Sequence, residues 1–510
     1  MKISLISPAA QIASPAVRMI SAYLKKHGYK TQLIFLPDPD PFCDRHSYSG
    51  KHEYIENKYS DDVMEEVVSL CRDSDLIGIS LMTDLFSNAV QITNRLKSRL
   101  NTPVIWGGIH PIIKPDESLT YADIVCIGDG EEAMLELAAK MDSGSDYSTI
   151  AGLWCKVNGI TTKNQLRPLT KNLDTYPIPD YSMEDHHILF DRHIIPLTHK
   201  HLEIYFRNSV NLYLHINKAG YLTMTSRGCP HSCAYCFNSV MKNLYKEQAY
   251  LRWRSIEHVI CELSWVKERM PYIDFVLLLD DLFFARPLED IERFSREYKN
   301  KIGLPFMCAT SPLTVTEEKM ASLVDAGLIY VEMGIQSASK KIQNLYGRNS
   351  MSNERIMQAA TIINKFKDRV VPIYDFIMDS PYETVKDQRE SLKYVSMLPK
   401  PFRLSVFSLV FYPGTKIYAM AKEDGFIEDE KKQVYEKHVF AREPNYLNLL
   451  MVIAKGGKFP SMLLRLFLIP PFVDILTSKP IRPLVRWFYI FLKTIHGKYL
   501  APKNRWAIGD

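Results

Sequence analysis

Across the first 145 positions apolar residues gather into short runs, near 3–6, 31–35, 76–81, 103–106 and 124–127, each bounded by glycine, proline or polar residues. Runs of that length predict buried strands. Between them apolar positions return at three- and four-residue spacing over 16–27, 61–71, 87–99 and 131–141, which predicts amphipathic helices. Strand and helix in alternation predict an α/β fold, a doubly wound parallel sheet of flavodoxin-like type. Ligands of such sheets lie beyond the carboxyl ends of the strands. The loops there are 7–15, 80–83, 107–111 and 128–131, and glycines in the last two let a flat ligand or a phosphate reach the backbone.

A second alternation begins after residue 216, with strands predicted at 221–225, 273–279, 305–309, 329–335, 370–378 and 404–410 and helices such as 288–298 and 317–326 between them. Six strand–helix units make part of a parallel barrel, whose working face is again the carboxyl ends. The intervening stretch 146–215 reads as a connector, in which Leu173-Asp174-Thr175-Tyr176-Pro177-Ile178-Pro179-Asp180-Tyr181 is an extended, proline-stiffened crossing between domains. Its His186, His187, His193, His199 and His201 follow no metal-ligand spacing and are expected in a solvated, partly aromatic loop. From 426 the chain turns helical and apolar, with aromatic runs at 461–473 and 484–492 among Lys479, Arg482, Arg486, Lys493 and Lys498. Neither run reaches the roughly 20 apolar residues of a membrane span. They are expected either to pack over the barrel mouth or to lie on an anionic membrane as a peripheral contact. The expected domains are 1–145, 146–215, 216–425 and 426–510.

Composition changes this picture little. The 510 residues suffice for about three domains, and a net charge of +5 indicates no nucleic-acid partner. Cys43, Cys71, Cys126, Cys155, Cys261 and Cys308 stand singly in apolar surroundings and are expected as buried thiols of a reducing compartment. Met1 to Pro8 reads as a strand and a turn instead of a signal peptide, so the cytoplasm is the expected location, extending to the inner face of a membrane.

The remaining three cysteines carry the chemistry. Ser226-Arg227-Gly228-Cys229-Pro230-His231-Ser232-Cys233-Ala234-Tyr235-Cys236-Phe237 sets Cys229, Cys233 and Cys236 at CxxxCxxC spacing directly after a strand. Three thiolates on one tight loop can hold three irons of a four-iron cluster and leave the fourth open to a bound molecule. A structural zinc site wants a fourth N or S ligand, and no nearby pair completes one.

This loop resembles the radical SAM superfamily, whose open iron chelates the amino and carboxylate groups of S-adenosylmethionine (SAM) and yields a 5'-deoxyadenosyl radical. The resemblance implies a 4Fe-4S cluster, an open (β/α)6 partial barrel and an external electron donor of the flavodoxin or ferredoxin type. It also implies cofactor-binding roles for Asp280 and Asp281 after the second strand, and for Gln336, in Gly334-Ile335-Gln336-Ser337 where relatives read Gly-Ile-Glu-Ser. Arg348, twelve residues on, suits the SAM carboxylate. Asp379-Ser380-Pro381-Tyr382-Glu383-Thr384 stands where relatives have Gly-x-Pro-Gly-Glu-Thr.

The first domain is similar to the cobalamin-binding domain that precedes many radical SAM domains. The similarity lies in Gly78-Ile79-Ser80 with Thr83, then Trp106-Gly107-Gly108-Ile109-His110-Pro111, then Ile127-Gly128-Asp129-Gly130-Glu131-Glu132. It implies that Ser80, Thr83, Gly107, Gly108, Gly128 and Gly130 lie along cobalamin and its nucleotide tail. The DxHxxG motif that ligates cobalt is missing after the first strand, and the near-match Asp44-Arg45-His46-Ser47-Tyr48-Ser49-Gly50 is one residue too long, so cobalt is expected without a histidine beneath it. Together the resemblances imply methylation of an unactivated carbon of a small-molecule substrate, lipids included, by way of the adenosyl radical and methylcobalamin. The alternatives are a radical ring closure, oxidation or rearrangement of a lipid or pigment precursor, and, from another class, a non-catalytic cobalamin or redox sensor.

Overall fold

The structure, a computed structural model, describes residues 1–9, 12–37, 58–157, 159–440 and 442–495. Cys43 and the near-match around His46 lie outside the described residues.

The predicted apolar runs become β1 (Lys2–Ser7), β2 (Lys30–Phe35), β3 (Leu76–Ser80), β4 (Val104–Gly107) and β5 (Ile124–Cys126), mutually parallel in the order β5-β4-β3-β1-β2. Helices α1 (Pro15–Lys26), α2 (Asp61–Cys71), α3 (Phe86–Arg99) and α4 (Glu131–Asp142) separate them. Ile3 and Leu5 enter one core cluster and Ile6 another, so the central strand is buried on both faces. The strand order reverses between β1 and β3, which opens a crevice at their carboxyl ends.

The stretch 146–215 is more than a connector, although 176–181 within it carries neither helix nor strand. It adds β6 (Leu153–Val157) and β7 (Ile160–Lys163) antiparallel beside β5, and β8 (His186–Phe190) parallel to β2 with β9 (His193–Pro196) outside it, completing a nine-stranded sheet. Asp191 and Arg192, at φ 47° and 71°, make the tight turn between β8 and β9. The histidines stand on strands and a helix instead of a loop: His186 is buried against Asp180 at 3.2 Å, His193 is exposed as expected and meets Glu66 at 3.0 Å, and His199, also exposed, and His201 stand in the first turn of α5 (His199–Leu214).

The second sheet runs β10 (Gly220–Thr223), β13 (Phe275–Leu278), β14 (Phe306–Thr310), β15 (Leu328–Gln336), β16 (Val371–Met378) and β17 (Arg403–Ser408), every neighbouring pair parallel. A two-stranded ribbon, β11 (Ser226–Arg227) with β12 (Arg252–Trp253), brackets the cysteine loop. The helices around this barrel are α6 (Phe237–Leu244), α7 (Ile256–Arg269), α8 (Leu288–Lys301), α9 (Glu317–Ala326), α10 (Asn353–Asn364), α11 (Val385–Val395) and α12 (Lys416–Glu423). The barrel is open, since β10 and β17 do not pair. Arg403 at the start of β17 donates to the Leu214 carbonyl, which ties the end of α5 across the gap. The free edge of β17 is covered: Ser408 N–H donates to Val439 O at 2.6 Å and Arg442 Nη1 to Val406 O at 2.7 Å. Cys261 is exposed on the outer side of α7, against the expectation of core burial.

The last helices are α13 (Tyr446–Ala454), α14 (Ser461–Phe467), α15 (Pro470–Thr477) and α16 (Arg482–Ile495). They do not lie over the barrel mouth. α13 packs on α11 and β17, α14 on α11, and α15 and α16 on α13, along the flank of the barrel beside its last strand. The start of α13 reaches the mouth, where Asn448 Nδ2 donates to Asp379 Oδ1 at 2.6 Å. No helix among the described residues is long and apolar enough to cross a membrane.

Candidate functional site

The cysteine loop leaves the barrel at the carboxyl end of β10. Gly228 has φ 95°, and a Cβ there would stand 2.7 Å from the Tyr250 carbonyl oxygen, so only glycine lets the loop close against the ribbon. The loop is pinned on its far side by Ala234 N–H donating to Tyr346 O at 2.9 Å and Ile417 N–H to Ala234 O at 3.1 Å. Cys233 is buried, and Cys229 and Cys236 are half-buried. Burial pushes the Cys229 thiol up to about 12 and raises Cys236 as well, so deprotonation there needs the charge of a metal. Among the described residues no three His, Cys, Asp or Glu side chains gather around a point for one ion; thiolates that each bind a different iron need not do so.

Arg348 is brought to this loop, with Nη1 3.5 Å from Cys233 Sγ and 3.4 Å from Tyr235 Oη and Nη2 donating to Gly334 O at 2.6 Å. Its Nε is buried without a partner, as is Oε1 of Gln336, which sits at φ 70° in a bulge of β15. Two unspent buried polar groups beside the thiols fit a zwitterionic ligand such as SAM. Asp281 has its carboxyl raised by burial and feels the thiols of Cys229 and Cys236. Asp280 is placed otherwise than expected. Each of its oxygens already accepts a hydrogen bond, from the Ser226 hydroxyl and from Thr225 Oγ1 at 2.9 Å, so it anchors the start of the loop.

Deeper in the barrel is a group that the sequence reading did not single out. Along β15, Val331, Met333 and Ile335 are buried while Glu332, Gly334 and Gln336 alternate toward the interior, and Asp375 stands between Gly334 and Ser405 in register. Tyr213 of α5 donates to Glu332. Burial raises the carboxyls of both Glu332 and Asp375, and each faces the other, so the pair retains a proton where an isolated acid would lose it.

The loops of the first domain meet the cysteine loop directly. Asp129 Oδ2 lies 3.1 Å from Arg227 Nη1 and 2.9 Å from Arg252 Nη1, and Glu131 takes Arg227 at 2.5 and 3.2 Å. Burial alone would raise the Asp129 carboxyl, but the two guanidinium groups hold it below its ordinary range. These four residues, two on either side of the domain boundary, were also not picked out from the sequence. A second joint pairs Lys114 with Glu430 at 2.8 Å and Tyr435 with Glu117 at 2.6 Å.

Among the glycines expected to face cobalamin, two are required by the protein itself. A Cβ on Gly108 (φ 103°) would stand 2.5 Å from Leu81 O, and one on Gly128 (φ 114°) 2.2 Å from Tyr245 Oη. Gly130 packs on Ile20. Gly107 is different: a Cβ there would meet only Cys126 Cβ, at 3.8 Å, which leaves room for a ligand. Thr83 Oγ1 is buried without a partner beside half-buried Ser80, so this crevice fits a polar group that the protein does not supply.

The profile of the radical SAM superfamily matches residues 223–395, and that of the B12 binding domain matches residues 1–138. The chain belongs to the radical SAM superfamily and carries a B12-binding domain. This radical SAM protein therefore has a 4Fe-4S cluster, SAM and cobalamin as its cofactors. An uncharacterized methyltransferase of Pyrococcus horikoshii is 27% identical over 357 residues, 68% of this chain and 70% of the relative. An anaerobic magnesium-protoporphyrin IX monomethyl ester cyclase of Rubrivivax gelatinosus is 23% identical over 403 residues, 76% of this chain and 63% of the relative. The fold is shared with the radical S-adenosylmethionine methyltransferase TsrM of Kitasatospora setae, solved with cobalamin and a 4Fe-4S cluster bound. That match has TM-score 0.62 at 15% identity and covers 83% of this chain and 78% of that one.

Proposed function

We propose that this radical SAM enzyme methylates an unactivated carbon of a small-molecule substrate, large and apolar and including lipids. When bound, the cluster and SAM supply a carbon radical that removes a hydrogen atom, and cobalamin supplies the methyl group. In this reading Cys229, Cys233 and Cys236 hold three irons, and Arg348, Gln336 and Asp281 take the polar groups of SAM. Ser80, Thr83, Gly107, Gly108, Gly128 and Gly130 line cobalamin, with Gly107 and Thr83 nearest to it. Glu332 and Asp375, held by Tyr213, orient polar groups of the substrate inside the barrel. An external one-electron donor, of the flavodoxin or ferredoxin type, reduces the cluster.

The observation that carries this reading is the ion-pair joint of Asp129 and Glu131 with Arg227 and Arg252, which fixes a loop of the cobalamin domain against the cysteine loop. Chemistry that uses both cofactors on one molecule needs that juxtaposition. A sensor with an idle barrel does not. The similarity to the ester cyclase of Rubrivivax gelatinosus favours a second reading, in which a pigment or lipid precursor undergoes ring closure or oxidation without methyl transfer. The test is incubation of anaerobically reconstituted enzyme with cobalamin, a reductant, methyl-labelled SAM and cell extract, followed by mass analysis. A labelled product selects methylation. An unlabelled product that has lost hydrogen selects the second reading, and the absence of extract-dependent 5'-deoxyadenosine refutes both.

A further inference from the structure

Ten of the twenty large apolar side chains that stand exposed among the described residues fall between Met462 and Phe491. Helix α16 carries two apolar stripes. Val485 and Tyr489 are buried toward the protein, whereas Leu484, Trp487, Phe488 and Phe491, at i, i+3, i+4 and i+7, face away from it. Leu484 is 63% and Trp487 61% exposed, and the rings of Trp487 and Phe491 stack at 5.3 Å. The same division runs through α14 and α15. Leu464 and Val473 are buried, while Leu466, Phe472, Ile475 and Met462, the last 79% exposed, point outward. A helix whose inner stripe is already packed gains nothing in folding from a second one, and an outer apolar face of this extent marks a contact surface.

Charge decides the occupant. Between residues 461 and 492 the bases are Arg465, Lys479, Arg482 and Arg486, and the one acid is Asp474. Lys479, Arg482 and Arg486 are exposed beside the apolar stripe. Pairing this face with a second copy of itself would set like charges against each other. Apolar and aromatic side chains rimmed by bases, on helices too short to span, suit the boundary between anionic headgroups and acyl chains.

We infer that the outer face of α14, α15 and α16 is a docking surface for an anionic lipid bilayer, with the three helices lying in the plane of the interface. Through α13 this face is joined to the barrel mouth at Asp379, so attachment holds the mouth beside the lipid. The inference stands whether or not the reaction is methyl transfer.

The test is co-sedimentation of the full-length protein with vesicles of phosphatidylglycerol and phosphatidylcholine, against vesicles of phosphatidylcholine alone. Binding to the anionic vesicles is expected, weakened by salt, with a blue shift of tryptophan emission that Trp487→Phe removes. Trp487→Glu combined with Phe491→Glu, both at exposed positions, lowers partitioning at least about tenfold, from the apolar area withdrawn, without changing the melting temperature. Arg482→Gln combined with Arg486→Gln weakens binding to anionic vesicles and flattens its salt dependence. Absence of binding by folded protein at low salt overturns the inference, as does unchanged binding of the glutamate variant. A dimer that Trp487→Glu dissolves, with no vesicle binding, reassigns the face to a second copy.

Discussion

Gly107 and Gly108 are neighbours in sequence with opposite reasons for being glycine. Gly108 is held at positive φ against the Leu81 carbonyl, so Gly108→Ala should destabilise the first domain by about 1–3 kcal/mol, read by chemical denaturation. At Gly107 an added Cβ would make one ordinary contact, with Cys126 Cβ at 3.8 Å. A bulky Gly107→Leu should therefore leave the melting temperature nearly unchanged and lower cobalamin retention, measured by absorbance of the purified protein; equal retention would remove Gly107 from the cobalamin crevice. At the cysteine loop, Cys233→Ala is expected to lower bound iron and abolish reductive SAM cleavage, since two thiolates cannot hold three irons. Iron analysis and 5'-deoxyadenosine assay check it. Asp280 shows the limit of reading residues from position alone, because a carboxylate at the end of β13 was expected to meet the cofactor and instead accepts hydrogen bonds from Thr225 and Ser226.

At the scale of elements, the joint between the β5–α4 loop and the ribbon β11–β12 is, among the described residues, one of the two ion-paired contacts that join the first domain to the barrel. Arg227→Gln leaves Asp129 and Glu131 part-buried without their main counter-charge, which should cost about 2–4 kcal/mol in denaturation. Asp129 is held below its ordinary carboxylate range in the folded protein, so its contribution is fully present above the unfolded value of about 3.9 and is lost as pH falls through the lower folded value. Wild-type stability from this source is then flat between pH 7 and 5 and declines in more acidic solution. In Arg227→Gln that acid-dependent portion should shrink, and an unchanged acid profile would exclude Asp129 from the joint. Another element-scale feature is Asp379, which takes φ 59° where relatives have glycine and is held by Asn448 and the Glu443 backbone of the C-terminal segment.

At the scale of the whole molecule, the first domain brings no histidine motif after β1, and the cobalt is expected without an imidazole ligand. Electron paramagnetic resonance of the cob(II)alamin form should lack imidazole nitrogen splitting. Splitting that disappears on His46 replacement would reverse this expectation. The C-terminal helices have a structural share as well as a surface. Leu464, Leu468 and Val473 enter the main core cluster, and Arg389 Nε donates to Leu468 O at 2.6 Å. Deletion of residues 455–510 is therefore expected to lower solubility and melting temperature, since it bares the apolar sides of α11 and α13.

Much of the fold was legible in the chain itself. Buried parallel strands must be apolar on both faces, so β3, β4 and β13 announce themselves as continuous runs, and the cysteine spacing names its cluster because ligation needs all three thiolates on one tight loop. β7 and β9 are edge strands with one neighbour, and β6 and β8 inside them are short and mixed with polar residues, so β6 to β9 left no such run, although Asn158-Gly159 in the sequence is a hairpin signal. What only the tertiary structure decided are the relations between distant segments. Asp129 meets Arg227, Tyr213 meets Glu332, and α16 turns one of two equivalent apolar stripes outward, because each depends on how separately folded elements are docked, and local periodicity carries no record of docking.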